Sequence, residues 1–416
     1  MKVPKYLDRD FLRTVLRNGF NTTDDFDIVA MKVEIGTSPG DNYTSTIYRV
    51  FLTFVDSGNC ERNIQFLVKH LTEQVATLVD FMDLFEKEII MLKEIVPRLQ
   101  RRMNGAKFSA RYYYHCRPGP QTKVLAMEDL KELQYQMAQR REGLDFEHCR
   151  IALRKLGQMH AASMALVDED PSLMDKFNFG MFHGSVSNPG QIQLCLPLSF
   201  PLLCERVKMW KGFEGIYRKL NRMKENFWPM MYESTSRKHD GYRVLTHGDF
   251  WTNNFLYKYN ETSGKPIDVL FVDLQHSCYT SPANDLQYFL SISPQNHVRE
   301  QHREELVRIY YESFAATLYE LNYSKIPTFA QLQDEMRKKE MLGFFAAVFV
   351  LPIALMEEQS SQGSGLDGLM DEEARKEMTW LMISGKSYTE AIKPILKRCD
   401  NLGVFDLQPY QGDSNY

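Results

Sequence analysis

The sequence predicts an α+β fold of two lobes, a small lobe rich in β-strands and a larger lobe that is mostly helical. Alternating apolar residues recur through residues 1–127, which is typical of strands, and one long helical pattern interrupts them. From residue 132 onward, helical spacing of apolar residues dominates. We therefore place the small lobe at residues 1–127, a hinge at residues 128–131 and the helical lobe at residues 132–416.

The composition argues against several classes of protein. Of the 416 residues, 44% are hydrophobic and 25% are charged, as in ordinary globular proteins. The net charge is −4 and basic residues are spread along the chain, so we expect no nucleic-acid partner. The seven cysteines include no CxxC pair, so we expect neither a disulfide framework nor a structural zinc site.

The sequence predicts neither a signal peptide nor a membrane span. Residues 1–20 are charged throughout and lack the apolar core of a signal peptide. The longest apolar run, Met341–Met356, contains Pro352 and is shorter than the roughly twenty residues that span a bilayer. We interpret this run as a buried helix. Because the cysteine pattern suits a reducing compartment, we expect a cytoplasmic protein.

The small lobe is predicted to hold five antiparallel strands with a helix packed against them. An amphipathic helix over residues 5–18, ended by Gly19, precedes the sheet. Thr72 is a candidate N-cap for a long helix that Pro97 bends or ends. The predicted elements are strands Phe26–Ile35, Tyr43–Val55 and Asn63–Lys69, helix Thr72–Arg101, and strands Lys107–His115 and Thr122–Met127.

The helical lobe is predicted to contain one β-hairpin, within Tyr242–Gln275, that carries the most informative polar residues. The segment Asn260–Lys265 is rich in turn formers and separates two apolar runs. If the turn is centred near Thr262–Ser263, residue 254 lies opposite residue 271, and Asn254 and Asp273 become neighbours across a strand spacing of about 4.8 Å. Two such oxygen ligands suit a hard cation such as Mg²⁺.

Asp249 lies on the loop before the hairpin and is the candidate catalytic base. In phosphoryl transfer the protein mainly positions the reactants, and one carboxylate orients the acceptor hydroxyl. By itself, an aspartate here is equally a turn or capping residue. The joint pattern HGDxxxxN, followed by an apolar strand that ends on Asp273, favours phosphoryl transfer. We expect His247 to brace the loop and Asp285 to hold it from the next helix.

Lys69 and Glu88 are predicted to form a buried ion pair. Apolar residues flank Glu88 at helical spacing on both sides, so its carboxylate lies within the buried face of a helix. A buried carboxylate needs a partner, and Lys69, at the end of a strand, is the best cation by topology. A Lys–Glu pair that orients the α- and β-phosphates is the kinase arrangement. A solvated Lys69, or Glu86 in place of Glu88, remains an alternative.

Two further segments are candidates for contact with a nucleotide. The segment 36–45 joins two predicted strands, and its glycines would let the backbone approach phosphates, although alone it is an ordinary hairpin turn. The segment Val124–Leu130 leaves the sheet for the helical lobe. There we expect the carbonyl of Glu128 and the amide of Leu130 to contact adenine, an expectation that rests on position alone.

These motifs together resemble a known family. GDNYTSTIYRV, FLVKH, FEKEIIMLKEIVP, LAMEDL, LGQMHAAS, HGDFWTNNFLY, VLFVDLQ and SPANDLQYFL look like the ecdysteroid kinase-like family, which is similar to choline kinases and aminoglycoside phosphotransferases. The resemblance runs from about residue 36 to residue 290 and implies a bilobal protein-kinase-like fold. One departure is visible, because Leu274 stands where phenylalanine is usual, and that position serves packing.

The resemblance implies a role for each candidate residue. Asp249 would be the catalytic base, and ATP and Mg²⁺ would be the cofactors. The implied Mg²⁺ ligands are Asn254 and Asp273. The residues implied on the nucleotide phosphates are Lys69 with Glu88, and the loop around Asn42, Tyr43 and Ser45.

The resemblance also implies the reaction, which is phosphorylation of a hydroxyl on an apolar small molecule, an ecdysteroid or a related steroid or xenobiotic, in hormone inactivation or detoxification. Trp251, the Phe177–Phe182 loop and Met341–Met356 are candidates to line the acceptor pocket, and each is equally well explained as core. The alternatives are a kinase of a polar acceptor such as choline, and a nucleotide- or sterol-binding protein without turnover. Protein-kinase activity is disfavoured, because HGD replaces HRD and no DFG…APE segment follows.

Overall fold

The computed structural model describes residues 3–36, 45–71, 83–119, 122–184, 189–356 and 372–406. The chain divides into two compact units. The first unit comprises Met1–Ala138, Leu166–Phe177 and Asn253–Ser277, and the second comprises Gln139–Ala165, Asn178–Thr252 and Cys278–Tyr416. The hairpin after Asp249 therefore belongs to the first unit, whereas we predicted it within the helical lobe of residues 132–416.

A five-stranded antiparallel sheet forms the centre of the first unit, as predicted, with the strand order β1-β2-β3-β5-β4. One face buries Val50, Phe54 and Phe66 in an apolar core. Residues 37–44, which include the predicted strand start Tyr43, lie outside the described residues. The strands are β1 (Asp27–Ile35), β2 (Thr46–Val55), β3 (Glu61–Leu71), β4 (Tyr112–Gly119) and β5 (Thr122–Glu128).

Strand β4 begins at Tyr112 and not at Lys107, because the backbone before Tyr112 has other partners. The amide of Phe271 donates to the carbonyl of Phe108 at 2.9 Å. The amide of Arg111 donates to the carboxylate of Glu128, also at 2.9 Å. The carbonyl of Arg111 accepts the amide of Glu128 on β5 at 2.9 Å, but the amide of Arg111 returns no backbone bond, so the regular ladder begins at Tyr112. Residues 107–111 are therefore irregular.

The first helix, α1 (Arg9–Phe20), packs its apolar face on the sheet and runs through Gly19, where we expected it to end. Asp8 caps the helix by accepting a 2.9 Å hydrogen bond from the amide of Phe11. Asn21, in the left-handed conformation at φ 53°, ends the helix. A side chain at Gly19 would meet the ring of Tyr113 at 3.4 Å, so the glycine serves close packing and not termination.

Helix α2 runs from Leu84 to Arg102 and contains a π-helical turn. We predicted one continuous helix over Thr72–Arg101, but Asp83 is in the left-handed conformation, at φ 53°, so no continuous helix passes through it. Thr72, the predicted N-cap, lies outside the described residues. The helix also continues through Pro97. The amide of Val96 donates to the carbonyl of Met91, five residues back, and this wider turn accommodates a proline that has no amide hydrogen to donate.

A three-stranded sheet, in the order β6-β8-β9, completes the first unit. It consists of β6 (Tyr135–Met137), β8 (Phe255–Tyr259) and β9 (Pro266–Phe271). Phe255 pairs with Phe271, so residue 254 faces residue 272 and not residue 271. The reason is a β-bulge, because Lys258 pairs with Asp268 while Tyr259 pairs with Pro266, which leaves Ile267 as one extra residue on β9.

Helices form most of the second unit, around a short antiparallel pair of strands, β7 (Val244–Thr246) and β10 (Cys278–Thr280). The helices are α3 (Phe146–Glu169, which ends in the first unit), α4 (Gln191–Cys195), α5 (Ser199–Lys208), α6 (Glu214–Met223), α7 (Phe227–Thr235), α8 (Ala283–Ile292), α9 (Asn296–Gln301), α10 (Arg303–Glu320), α11 (Phe329–Lys338), α12 (Glu340–Phe349), α13 (Leu351–Ala354), α14 (Glu372–Ser384) and α15 (Lys386–Asn401). Short 3₁₀ turns in the two units lie at Leu130–Leu133, Arg140–Glu142, Pro171–Lys176, Lys224–Asn226, Arg237–His239, Thr252–Asn254 and Leu274–His276.

The apolar run Met341–Met356 lies in the core of the second unit, as predicted, but forms two helices, α12 and α13. They meet at Val350, because Pro352 cannot continue the hydrogen bonding of α12. The rings of Phe200 and Phe227 stack at 3.8 Å beside this run. Within the described residues, no helix is long and apolar enough to cross a membrane.

Candidate active site

The end of strand β3 holds a buried lysine between two carboxylates. The ammonium of Lys69 lies 2.7 Å from Glu88 Oε2 and 2.8 Å from Asp273 Oδ1. Lys69 is 3% exposed and Glu88 is 2% exposed. Strand β3, helix α2 and the turn after β9 each provide one of the three side chains. The predicted Lys69–Glu88 pair therefore forms, with Asp273 as a third member that the sequence did not indicate.

The ammonium of Lys69 faces two acidic side chains. Burial alone would lower the pKa of Lys69, but the negative charges of Asp273 and Glu88 outweigh burial and raise it, so the ammonium stays charged. Burial raises the pKa of Glu88, Lys69 opposes the rise, and Asp273 adds to it. Asp273 and Glu88 therefore repel each other, and a cation bound at Asp273 would reduce that repulsion.

Asp273 and Asn254 are the residues that would hold Mg²⁺. Asp273 is in the left-handed conformation, at φ 61° and ψ 56°, which non-glycine residues rarely adopt outside turns and functional sites. Its Oδ2 accepts a 3.3 Å hydrogen bond from Gln275 Nε2. The amide of Val272 donates to the carbonyl of Asn254 at 3.0 Å, which fixes the spacing of the two positions. Carboxylate and amide oxygens are hard donors, so this pair fits Mg²⁺.

Asn253, which precedes Asn254, places a second amide in this region. Its side chain is buried, and its Oδ1 has no hydrogen-bond partner in the described part of the chain. A buried acceptor without a donor costs about 1–3 kcal/mol, and the water shell of a cation would satisfy it. No group of three or more His, Cys, Asp or Glu side chains that could hold a metal occurs among the described residues.

In the second unit, the loop that carries Asp249 is held by one buried carboxylate. Asp285, from helix α8, accepts hydrogen bonds from the amide of His247 at 2.7 Å and from the amide of Gly248 at 2.9 Å. Gly248 has φ 81°, a conformation in which any larger residue would be strained. The amide of Asp249 donates to His247 Nδ1 at 3.3 Å. His247 and Asp285 therefore hold the loop, as predicted.

Tyr288 is the residue of this loop that sequence reasoning missed. Its hydroxyl donates a 2.6 Å hydrogen bond to Asp249 Oδ1. Burial raises the pKa of Tyr288 well above its ordinary value, and the negative charge of Asp249 raises it further. The phenol therefore stays protonated and remains a donor that fixes the rotation of the carboxylate. A signal was available, because Tyr288 follows Asp285 by three residues and so lies on the same face of α8.

His160 lies behind the same carboxylate. Its Nε2 is 3.2 Å from Asp285 Oδ2, and its Nδ1 is 2.8 Å from the hydroxyl of Tyr310. The residue is completely buried. This is the hydrogen-bonded core histidine that we predicted, and it contacts the same Oδ2 of Asp285 that accepts from the amide of His247.

The sequence profile of the ecdysteroid kinase-like family matches residues 39–323, more than half of the chain. The chain belongs to the ecdysteroid kinase-like family. Its membership identifies the protein as a small-molecule kinase of the phosphotransferase class. Together with the strand and helix order, it confirms the predicted α+β, protein-kinase-like fold class. Among curated proteins, none matches the chain.

Among solved structures, this ecdysteroid kinase-like chain is similar to a candidate aminoglycoside phosphotransferase from Ralstonia eutropha JMP134, with 11% identity, a TM-score of 0.39, and coverage of 88% of this chain and 93% of that chain. It is also similar to aminoglycoside phosphotransferase APH(4)-Ia, with 12% identity, a TM-score of 0.34, and coverage of 95% and 99%. A thermostable mutant of that enzyme, in ternary complex with ADP and hygromycin B, has a TM-score of 0.33 at 12% identity, with coverage of 90% and 99%.

Five more residues of this family member were predicted to contact the nucleotide. Asn42 and Tyr43 lie outside the described residues, and Ser45 directly precedes β2. Glu128 ends β5, and its carboxylate is 2.5 Å from Lys107 Nζ. Leu130 is buried at the start of a 3₁₀ turn. The adenine contacts of Glu128 and Leu130 stay predictions.

Glu86, the alternative partner that we considered for Lys69, forms an ion pair with another residue. Glu86 pairs with Arg117, on strand β4, and its side chain is partly exposed. Glu88, two residues further along the helix, faces the sheet and takes Lys69 instead. The apolar stripe of the helix thus distinguished the two carboxylates correctly.

Most of the segments expected to line an acceptor pocket are packed as core. Trp251, Met181 and Phe182 belong to the apolar cluster of the second unit, with helix α12. Phe182 meets the ring of Tyr288 edge-on, with the centroids 5.9 Å apart. Met181 Sδ lies 3.9 Å from the Tyr288 hydroxyl. These residues therefore support the tyrosine that holds Asp249.

Proposed function

We propose that the protein transfers the γ-phosphoryl group of ATP to a hydroxyl of an apolar small molecule, an ecdysteroid or a related steroid or xenobiotic, in a Mg²⁺-dependent reaction in the cytoplasm. The observation that carries the proposal is the buried cluster of Lys69, Glu88 and Asp273. A buried lysine oriented by a helix carboxylate is what kinases use to hold the α- and β-phosphates of ATP. Membership of the ecdysteroid kinase-like family supports the same chemistry.

The residues of the first unit bind the nucleotide. Lys69 donates to the phosphates, and Glu88 keeps its ammonium oriented. Asp273 and Asn254 hold Mg²⁺, which neutralises charge on the phosphates when it is bound. We assign the phosphate cover to the loop of Asn42, Tyr43 and Ser45. We assign the adenine contacts to the carbonyl of Glu128 and the amide of Leu130.

Asp249, in the second unit, orients the acceptor. Its carboxylate accepts a hydrogen bond from the acceptor hydroxyl and takes the proton as the new O–P bond forms and the bond between the γ-phosphorus and the bridging oxygen of ADP breaks. Tyr288 and the loop amides hold Asp249 in one orientation, which reduces the reorganisation that the transfer requires. The acceptor class follows the description of the family.

The first test is ATP consumption by the purified protein with Mg²⁺ across hydroxylated steroids, plant alcohols and choline. We expect stimulation by apolar alcohols and a loss of about 10²- to 10⁴-fold in kcat for Asp249→Asn, as for loss of a general base. Nucleotide affinity should stay unchanged in that variant. Equal turnover by both proteins would remove Asp249 from its role, and stimulation by choline alone would favour a polar acceptor.

A second test addresses the metal ligands. Asp273→Ala should weaken Mg²⁺-dependent nucleotide binding by at least about tenfold, because a hydrogen bond or metal contact from a charged group contributes about 1.5–3 kcal/mol. Glu261→Ala, an exposed residue in the turn of the same hairpin, is the matched control. Equal affinities in the two variants would refute the assignment of Asp273.

A further inference from the structure

A cationic cleft of about 770 Å³ lies in the second unit, between helices α9, α10, α11 and α15. Its lining contains six basic side chains, Arg299, Arg303, Arg308, Arg337, Lys397 and Arg398, and three acidic ones, Glu300, Glu304 and Glu340. The chain as a whole carries a net charge of −4. Asp334, outside the lining, pairs with Arg337 at 3.4 Å, and an excess of positive charge remains in an otherwise acidic protein. None of its lining residues belongs to the proposed catalytic or nucleotide-binding set.

Arg299 is the most buried of these cations, at 8% exposure. Its Nη1 donates to Asn296 Oδ1 and its Nη2 to the carbonyl of Pro294, both at 2.8 Å. Neither partner carries a charge. Its Nε is buried and has no hydrogen-bond partner among the residues that the structure describes. A guanidinium held in this way keeps an unsatisfied donor, and its charge is offset at longer range by Glu300 rather than by a direct ion pair.

Arg303 adds a second positive charge with a neutral partner. Its guanidinium donates to the amide oxygen of Gln287. Burial and the positive charges of Arg398 and Arg299 together lower the pKa of Arg303 to about 10, against the opposing effect of Glu340. Glu340 is itself bound at both oxygens by Arg398, at 2.7 Å each. One partly buried carboxylate thus serves two arginines, Arg303 and Arg398.

The rim of the cleft is both cationic and apolar. The guanidinium of Arg308 lies 4.5 Å from the centre of the ring of Phe329. Lys397 adds a charge on the facing helix α15, and Met336 and Ile395 contribute apolar walls. A ligand that combines an anionic group with an apolar body would match both parts of this lining.

We propose that this cleft binds an organic anion that carries a phosphate or sulfate group on an apolar body. Guanidinium groups recognise tetrahedral oxyanions through paired hydrogen bonds, and the partial burial of Arg303 reduces the screening by water that would otherwise weaken them. The ring of Phe329 and the side chain of Ile395 contact the apolar body. The cleft volume lies within the range of sites for drug-sized ligands, which is about 300–1,000 Å³.

The test is isothermal titration of the full chain with 1-naphthyl phosphate, 1-naphthyl sulfate, 1-naphthol and inorganic phosphate. We expect saturable binding of at least one ester, no binding of the alcohol, and binding of inorganic phosphate at least about tenfold weaker than that of the better ester. Affinity should fall as NaCl is raised from about 50 to about 300 mM, because salt screens the charges. The ester with the higher affinity identifies the anionic group. Absence of saturable binding by both esters would overturn the proposal.

Variants locate the binding. Arg303→Gln should weaken binding of the better ester by about tenfold or more, and the surface pair Arg308→Gln with Lys397→Gln by about fivefold or more, as expected for charged hydrogen bonds and ion pairs. The surface pair decides the outcome if Arg303→Gln does not fold. Arg222→Gln, an exposed arginine on α6, is the matched control and should bind like wild type. Equal affinity of the surface pair and the control, or displacement of the ester by ATP with Mg²⁺, would place the ester elsewhere and overturn the proposal.

Discussion

Replacing Lys69 by methionine should destabilise the protein strongly at about pH 8 and much less at about pH 5. The substitution keeps an unbranched chain of similar length and removes only the charge and its hydrogen bonds. What remains is a pair of carboxylates, Glu88 and Asp273, that both faced the ammonium at less than 3 Å. Two like charges in a buried site repel each other and have lost their common partner.

The size of the effect follows from the geometry. At 2.7 and 2.8 Å and an effective dielectric constant of about 20, each ion pair has a Coulomb energy of about 6 kcal/mol. Desolvation of the ammonium removes several kcal/mol of this, and water screens the contact with Asp273, whose side chain is 30% exposed. Removal of one partner from a buried pair costs about 3–5 kcal/mol in general, and we expect that loss in the free energy of unfolding at about pH 8.

The pH dependence follows from Glu88. Burial and Asp273 already raise the pKa of Glu88, and loss of Lys69 removes the opposing effect. A carboxyl with a raised pKa binds protons more readily in the folded state than in the unfolded state, so the variant regains stability as the pH falls through the folded pKa toward the ordinary value of about 4.3. In the wild type, the raised pKa of Lys69 means that its contribution is fully present below about pH 10 and stays constant over this range.

The assay is urea unfolding followed by far-ultraviolet circular dichroism, with each variant compared with wild type at each pH. Lys32→Met, an exposed lysine on β1 that pairs with Glu34, is the control and should change the free energy of unfolding by less than about 1 kcal/mol. Lys69→Met combined with Glu88→Gln should regain part of the loss at about pH 8, because one of the two facing charges is gone. The reasoning is refuted if Lys69→Met behaves like Lys32→Met, or if its deficit is the same at both pH values.

Three further predictions concern the loop of the second unit and the thiols. Asp285→Asn leaves one carbonyl oxygen to accept from the amides of His247 and Gly248. These two amides should therefore exchange hydrogen at least about tenfold faster, as measured by hydrogen-exchange mass spectrometry. Unchanged exchange would contradict the contacts described above. Tyr288→Phe should lower kcat by about tenfold with nucleotide affinity unchanged, because only the hold on Asp249 is lost; an equal loss of affinity would indicate a general structural defect. Iodoacetamide should alkylate the exposed Cys60 and spare Cys399, because burial raises the pKa of the Cys399 thiol to about 12. Peptide mapping that finds both cysteines equally modified would contradict the burial of Cys399.

The sheet and the Lys69–Glu88 pair were predictable because both follow from periodicity. Alternation along a strand and three-to-four spacing along a helix determine which side chains face each other once the order of elements is known. Asp285 was predictable for a similar reason, as a carboxylate at the start of a helix that follows the loop. Tyr288 was not assigned, because a tyrosine in an apolar helix is usually core, and its hydroxyl partner depends on tertiary packing.

The wrong predictions concern element boundaries, which are set by backbone hydrogen bonds and backbone conformation that the apolar pattern does not show. Residues 107–111 have the composition of a strand, but the carbonyl of Phe108 and the amide of Arg111 pair outside the β5 ladder. The predicted helix Thr72–Arg101 ran through Asp83, because the spacing of apolar residues does not show that Asp83 is in the left-handed conformation. The lobe boundaries at residues 127 and 132 stay predictions, and the pairing of β8 with β6 in the first unit is a long-range contact that no local pattern encodes.

The bulge at Ile267 has a consequence for how this hairpin tolerates sequence change. Ile267 is exposed and pairs with no residue of β8, so its side chain is free to vary. Its deletion would also leave the register unchanged, because Lys258–Asp268 and Tyr259–Pro266 would become consecutive pairs and Phe255 would still face Phe271. The place of Asp273 at the end of β9 therefore depends on the pairs between β8 and β9 that precede it, and the hairpin tolerates loss of the bulge residue as well as a change of its side chain.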